Sequence, residues 1–195
     1  MSKIWFFGDS FTYGWGARPG FEYFEKNKSG EIWTSAVAKN LNLEEKNLAT
    51  PGKFSNDLII NKIITNITNI SSNDIVIFSD TDPLRCIRVQ DGKIKGFNPN
   101  NVRNKKIGTK VFGSQYYNAL DYLYYMKYSN LELFENYYSD YFLSLADIFT
   151  HLGIKNYFWS YKERENYSKI PNDGHFDWNG HKKFTKFILN AIRQL

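Results

Sequence analysis

The sequence predicts an α/β protein built on a parallel sheet with helices on both faces. Three observations predict it. Short apolar or β-branched runs alternate with longer stretches of helical periodicity. Each short run stops at Gly, Ser, Thr or Asp. No repeat and no linker interrupts the 195 residues, a length suited to one domain with a sizeable core. Strands that alternate with helices pair in parallel and are buried on both faces.

Four strands are predicted, over residues 3–7, 45–48, 74–78 and 154–159. Helices lie between and after them. Ile32, Ala36, Val37 and Leu41 share one helical face. Ile60, Ile63, Ile64, Ile67 and Ile70 share another, with Ser55 or Asn56 placed to cap its start. Its β-branched content lowers helix propensity, but spacing and length favour helix. Leu131, Phe134, Tyr138, Phe142, Leu145, Phe149 and Leu152 form a long stripe that Gly153 terminates. Phe184, Phe187, Ile188, Ala191 and Leu195 mark the last helix. Residues 84–128 break the alternation and read as an elaborated loop plus a helix.

Ligands of such sheets bind beyond the carboxyl ends of the strands. That rule gathers "GDS", "ATPG" and "SDTD" on one rim. Gly8 lets the chain turn sharply after the first strand. The turn leaves Ser10 exposed at a helix start, where backbone N–H groups face a developing oxyanion.

A serine needs a base, and the chain has three histidines. His151 sits in a helix's last turn and reads as a cap or packing residue. His181 opens the last helix and reads as structural. His175 stands in "PNDGHFDWNG", which no periodicity claims, two residues after Asp173. A carboxylate there can hold the Nδ1–H and leave Nε2 free as base. Asp-Gly is also a common turn pair, so "DGH" alone carries little weight. The combination with "GDS" is what is specific.

Together these stretches resemble the GDSL, or SGNH, hydrolase family over most of the chain. "FFGDSFTYGWG" resembles its first block, which implies Ser10 as nucleophile. "NLATPGKFSND" resembles the second, which implies that Gly52 lends its N–H to the oxyanion hole. "NDGHFDWNGH" resembles the last, with His175 as base and Asp173 as its partner. Many members space that pair by three residues; the spacing of two resembles a known variant. The resemblance implies a three-layer α/β/α sandwich with a five-stranded parallel sheet of flavodoxin-like kind, its fifth strand short. It also implies no cofactor and no metal.

The third block departs. The family pattern is Gly-x-Asn-Asp, and its Asn donates to the oxyanion. Here the third strand runs into "FSDTDPLR". Thr81 falls near the usual glycine and Pro83 near the usual Asn. One reading gives Thr81 the missing oxyanion donation and makes Arg85 a receptor for an anionic or polar substrate group, with Asp9 and Asn56 as further substrate contacts. The other has Thr81 and Asp82 capping the next segment and Arg85 in a surface ion pair.

Composition excludes several classes. One cysteine, Cys86, rules out a disulfide framework and a cysteine-based metal site within one chain. No run approaches the ~18 apolar residues of a membrane span, and no signal segment precedes "KIWFF"; the expectation is a cytoplasmic protein without membrane partners. "GWGARPG" lacks the spacing of a nucleotide-binding loop, and no Gly-x-Ser-x-Gly elbow occurs. The net charge of +5 gathers partly over residues 93–110, which read as a solvated loop rather than a nucleic-acid patch. The 18% aromatic content fits an A/T-rich gene or a carbohydrate-binding surface.

The function expected is a metal-independent carboxylic-ester or O-acetyl esterase working through an acyl-enzyme on a small-molecule or carbohydrate ester. Its activity should rise with pH as the imidazole loses its proton. The rival is a non-catalytic glycan-binding or structural protein on the same fold, as in a larger assembly such as a viral particle. Intact Ser10, Asp173 and His175 favour the enzyme.

Overall fold

A computed structural model describes residues 2–26, 30–50, 55–83, 85–90, 93–97, 130–171 and 173–195. Its first strand, β1 (Lys3–Phe7), is followed by one turn of helix, α1 (Ser10–Tyr13), a short α2 (Glu22–Lys26) and α3 (Trp33–Asn40). Then come β2 (Glu44–Asn47), α4 (Asn56–Asn66), β3 (Ile75–Ser79), β4 (Cys86–Gln90) and β5 (Lys93–Phe97). The long α5 (Leu131–His151), β6 (Lys155–Trp159) and α6 (Trp178–Ile192) complete the described elements.

The main sheet has the order β2-β1-β3-β6, and its pairs are parallel. Ile4 pairs with Ile75 and Phe7 with Phe78. Side chains alternate across the sheet, so β1 feeds two cores. Ile4 and Phe6 pack with Ile77, Trp33, Val37, Phe184 and Ile188, under α3 and α6. Trp5 and Phe7 pack with Val76, Phe78, Ile59, Ile63, Phe142 and Phe149, under α4 and α5. A strand apolar on both faces belongs at the centre of such a stack. The polar, half-buried β2, "EEKN", lies at the sheet's edge, where its outer face meets water. Asp74 pins the other ends of the central strands: its carboxylate accepts the Lys3 N–H at 2.7 Å and the Trp5 indole N–H at 3.1 Å.

Among the described residues, the main sheet has four strands where five were expected. The segment after β6 pairs with itself instead of extending the sheet. It passes through a 3-10 turn, Tyr161–Asn166, and folds back so that Lys169 bridges Phe176. The Ile170 N–H then donates to the His175 carbonyl at 2.7 Å. Part of the expected loop at 84–128 is an antiparallel hairpin, β4 with β5; residues 98–129, with the expected helix, lie outside the described residues.

The expected caps of α4 are corrected too. Ser55 holds the N-cap position, but its side chain makes no cap bond, and the Asn56 amide goes elsewhere. Of the expected stripe, Ile60, Ile63 and Ile70 are buried while Ile64 faces solvent. The long stripe of α5 buries Tyr138, Phe142, Leu145 and Phe149, and Gly153 ends it at φ +69°.

Candidate active site

The carboxyl ends of β1 and β3 and the loop before α6 converge at one place. Gly8 leaves β1 with no room for a side chain. A Cβ there would stand 2.3 Å from Thr12 Oγ1 and 2.5 Å from Ser79 Oγ. The chain therefore turns tightly over the end of β3, and Ser10 becomes the first residue of α1. Asp9 caps that turn: its Oδ1 accepts the Phe11 N–H at 2.9 Å.

Ser10 is not exposed as expected; it is 2% accessible, because its side chain turns onto a histidine. Ser10 Oγ lies 2.7 Å from His175 Nε2. The other ring nitrogen, Nδ1, is hydrogen-bonded to Asp173 Oδ1. The same carboxylate oxygen accepts the His175 backbone N–H at 3.2 Å. A two-residue spacing closes on itself in this way because Gly174 takes φ +82°, a left-handed turn that suits glycine. Phe11 and Trp15 wall the imidazole, with ring centroids 4.7 and 6.2 Å from it. The structure thus brings Ser10, Asp173 and His175 together as a nucleophile, a base and an orienting carboxylate are arranged.

The other two histidines stand apart. His151 is exposed on α5 and donates from Nδ1 to the Asp147 carbonyl at 2.9 Å. His181 is 1% accessible, accepts the Trp33 N–H at 3.4 Å, and burial pushes its pKa down to about 3.

The residues expected to contact substrate have partners within the protein. Asp9 is 1% accessible and faces four donors of the protein itself. Besides Phe11, these are the Thr81 hydroxyl at 2.8 Å, Arg85 Nη1 at 3.3 Å and Arg164 Nη1 at 3.6 Å, all toward Oδ2. The Thr81 hydroxyl has one proton and gives it to Asp9, so it has none for an oxyanion. Asn56 is buried and closes on Thr81: its Oδ1 accepts the Thr81 N–H at 2.7 Å and its Nδ2–H donates to the Thr81 carbonyl at 3.0 Å. Arg85 makes its ion pair with a buried carboxylate rather than at the surface; its own side chain is 12% accessible, and its Nε has no hydrogen-bond partner among the described residues. Gly52 lies outside the described residues.

Two members of this cluster were not singled out from the sequence. Arg164 follows β6 in the 3-10 turn, its guanidinium 4.8 Å from the Phe11 ring and 5.1 Å from that of Tyr161. Asp80, directly after β3, accepts the Tyr161 N–H. Its burial, aided by the nearby Asp9 charge, raises its pKa to about 7 against the pull of Tyr161 and Arg164. The strand-end rule that selected "GDS" applies to both positions.

A cavity of about 500 Å³ opens beside Asp173, walled by Gly16, Phe21, Tyr23, Ile170 and Pro171, with Glu22 and Lys26 on its rim. Among the described residues, no cluster of His, Cys, Asp and Glu is arranged to hold a metal, and no helix is long and apolar enough to cross a membrane.

No family model matches this sequence, and no curated protein matches it. Two solved structures align with it over the whole of both chains. One is a member of the lipolytic protein G-D-S-L family from Veillonella parvula DSM 2008, at 14% identity and a TM-score of 0.46. The other, assigned to the lipolytic G-D-S-L family, is from Desulfitobacterium hafniense DCB-2, at 14% identity and a TM-score of 0.41.

Proposed function

We propose that the chain is a serine ester hydrolase of the GDSL, or SGNH, kind. The observation that carries the reading is the unbroken line Ser10 Oγ–His175 Nε2, 2.7 Å long, continued through Nδ1 to Asp173. No rearrangement is needed for proton transfer across that distance.

Ser10 Oγ attacks the ester carbonyl carbon while His175 Nε2 takes its proton. The carbonyl oxygen becomes an oxyanion. The Ser10 N–H, at the first position of α1 and so without a helical acceptor, is one donor to it. The Gly52 N–H is assigned as the second. Thr81 is withdrawn from this role. His175 then returns its proton to the leaving alkoxide, and an acyl-Ser10 ester remains. Water attacks that ester and gives a proton to His175, which passes it to Ser10 Oγ as the acid leaves, so that neutral His175 and free Ser10 are restored. Asp173 holds the imidazole and stabilises its cation throughout. The cavity beside Asp173 would take one side of a small-molecule or carbohydrate ester. No step calls for a metal or cofactor.

The test is hydrolysis of p-nitrophenyl acetate and butyrate by the purified protein and by Ser10→Ala. Turnover lost in the variant supports the reading. Equal rates in both proteins overturn it. The glycan-binding alternative has no observation of its own here, and the short Ser10–His175 contact weighs against it.

A further inference from the structure

We propose that Thr81 is a positioning residue for the nucleophile, acting through Asp9. The inference rests on the hydrolase reading above and assigns the divergent third block a role that differs from oxyanion donation.

The Asp9 carboxylate brackets Ser10. It belongs to the residue before the serine, and its Oδ1 holds the N–H of the residue after it. Whatever fixes this carboxylate therefore fixes the turn that aims Ser10 at His175. Its other oxygen is held by Thr81, Arg85 and Arg164. Thr81 makes the shortest of these contacts, 2.8 Å, as a charge-assisted O–H to a carboxylate. The arginines lie further away and supply charge, which a carboxylate 1% accessible requires.

Thr81 is itself held. It is fully buried, and the Asn56 amide takes both its N–H and its carbonyl. The result is one buried line from α4 to the end of β3 to the nucleophile turn: Asn56, Thr81, Asp9, Ser10. Each of these residues is at most 2% accessible, so water cannot replace a missing bond in it. Losing the Thr81 hydroxyl leaves Asp9 free to swing toward the arginines, and a nucleophile shifted by a fraction of an ångström reacts more slowly.

The experiment compares wild type, Thr81→Val and Thr81→Ser in the rate at which a fluorophosphonate labels Ser10. In that step an Oγ–P bond forms, fluoride leaves and His175 takes the proton, so the readout needs no cognate ester. Thermal midpoints and the kcat and KM for p-nitrophenyl acetate per titrated site are recorded alongside. The expected result is labelling slowed about 10- to 100-fold in Thr81→Val. kcat should fall in parallel at unchanged KM, and Thr81→Ser should recover most of the wild-type rate. If Val does not fold, Thr81→Ala serves as the hydroxyl-free variant. Labelling of the hydroxyl-free variant at the wild-type rate, or a Ser variant as slow as it, overturns the proposal. Wild type labelled no faster than Ser10→Ala overturns the hydrolase reading itself, and this inference with it.

Discussion

Ser10 Oγ and His175 Nε2 stand 2.7 Å apart although they lie 165 positions apart in the sequence. The serine ends the first strand's exit turn. The histidine lies in the loop that enters the last helix. In the proposed mechanism the two partners of that contact act as a unit. Ser10→Ala and His175→Gln should each lower kcat for ester hydrolysis by about 1,000-fold or more. Combining them should cost little beyond either alone, because they act as a unit. Steady-state rates of the two single variants and the double variant test this; additive losses would contradict it.

In the proposed mechanism Asp173 acts one step removed. Its Oδ1 holds both the ring Nδ1 and the backbone N–H of His175. Asp173→Asn keeps the shape and removes the charge that stabilises the imidazolium. kcat should drop by about 100- to 10,000-fold with little change in KM. A variant with near wild-type kcat would show that Gly174 and the ring walls alone orient the base.

Gly174 tests the same loop through its backbone. At φ +82° it sits where side chains are strained, and a Cβ there would touch nothing within 4 Å among the described residues. Gly174→Val should therefore cost about 1–2 kcal/mol by strain alone, and more in activity than in stability, since the strain relaxes by moving His175. Gly174→Asn should be milder. Denaturant melts and kcat measured side by side separate the two effects.

Gly8 tests close approach. Its Cβ would meet Thr12 and Ser79, whose hydroxyls already touch at 3.4 Å. Both are short and buried and cannot swing aside. Gly8→Ala should destabilise by about 1–3 kcal/mol and displace Ser10. An unchanged melting midpoint would mean that the strand end yields.

The pH dependence of stability carries two opposed contributions. Asp80 titrates near pH 7 in the folded chain against about 3.9 unfolded. Between those values only the folded chain holds the proton, so this contribution is lost as pH rises toward 7. His181 titrates near 3 folded against about 6.5 unfolded. There the unfolded chain takes the proton, and stability is lost as pH falls through that window. Asp80→Asn should remove the first slope and expose the second. It should also be the more stable protein at pH 8, by up to about 4 kcal/mol. Guanidinium melts from pH 4 to 8 measure both; coincident curves for the two proteins would show that Asp80 is ionised at little cost.

Much of this was legible in the sequence because local rules governed it. The run "KIWFF" is apolar at every position but the first, which only a central strand buried on both faces requires, and β1 is found over those residues. The meeting of Ser10 with Asp173 and His175 followed from strand-end placement plus one loop that no periodicity claimed. What the sequence hid was decided by contacts between distant segments. No local pattern says that the Thr81 hydroxyl turns to Asp9, or that Asn56 closes on Thr81 across 25 residues instead of capping α4. Nor does one show the segment after β6 folding back so that Lys169 bridges Phe176. Arg164, held between two rings, reads in "YKEREN" as one more surface charge.

The separation of Ser10 from His175 also sets an order of events in the life of the chain. A nucleophile turn can form early, from neighbours close in sequence. Its proposed base, His175, emerges from the ribosome only after β1 to β6 have been made. Closing so long a loop is among the slowest and latest contacts a domain forms. Until then the serine has no partner to activate it. On the proposed mechanism, reactivity at Ser10 is thus a late signature of completed folding, and a nascent or nicked chain lacking the loop that carries Asp173 and His175 would hold the nucleophile silently.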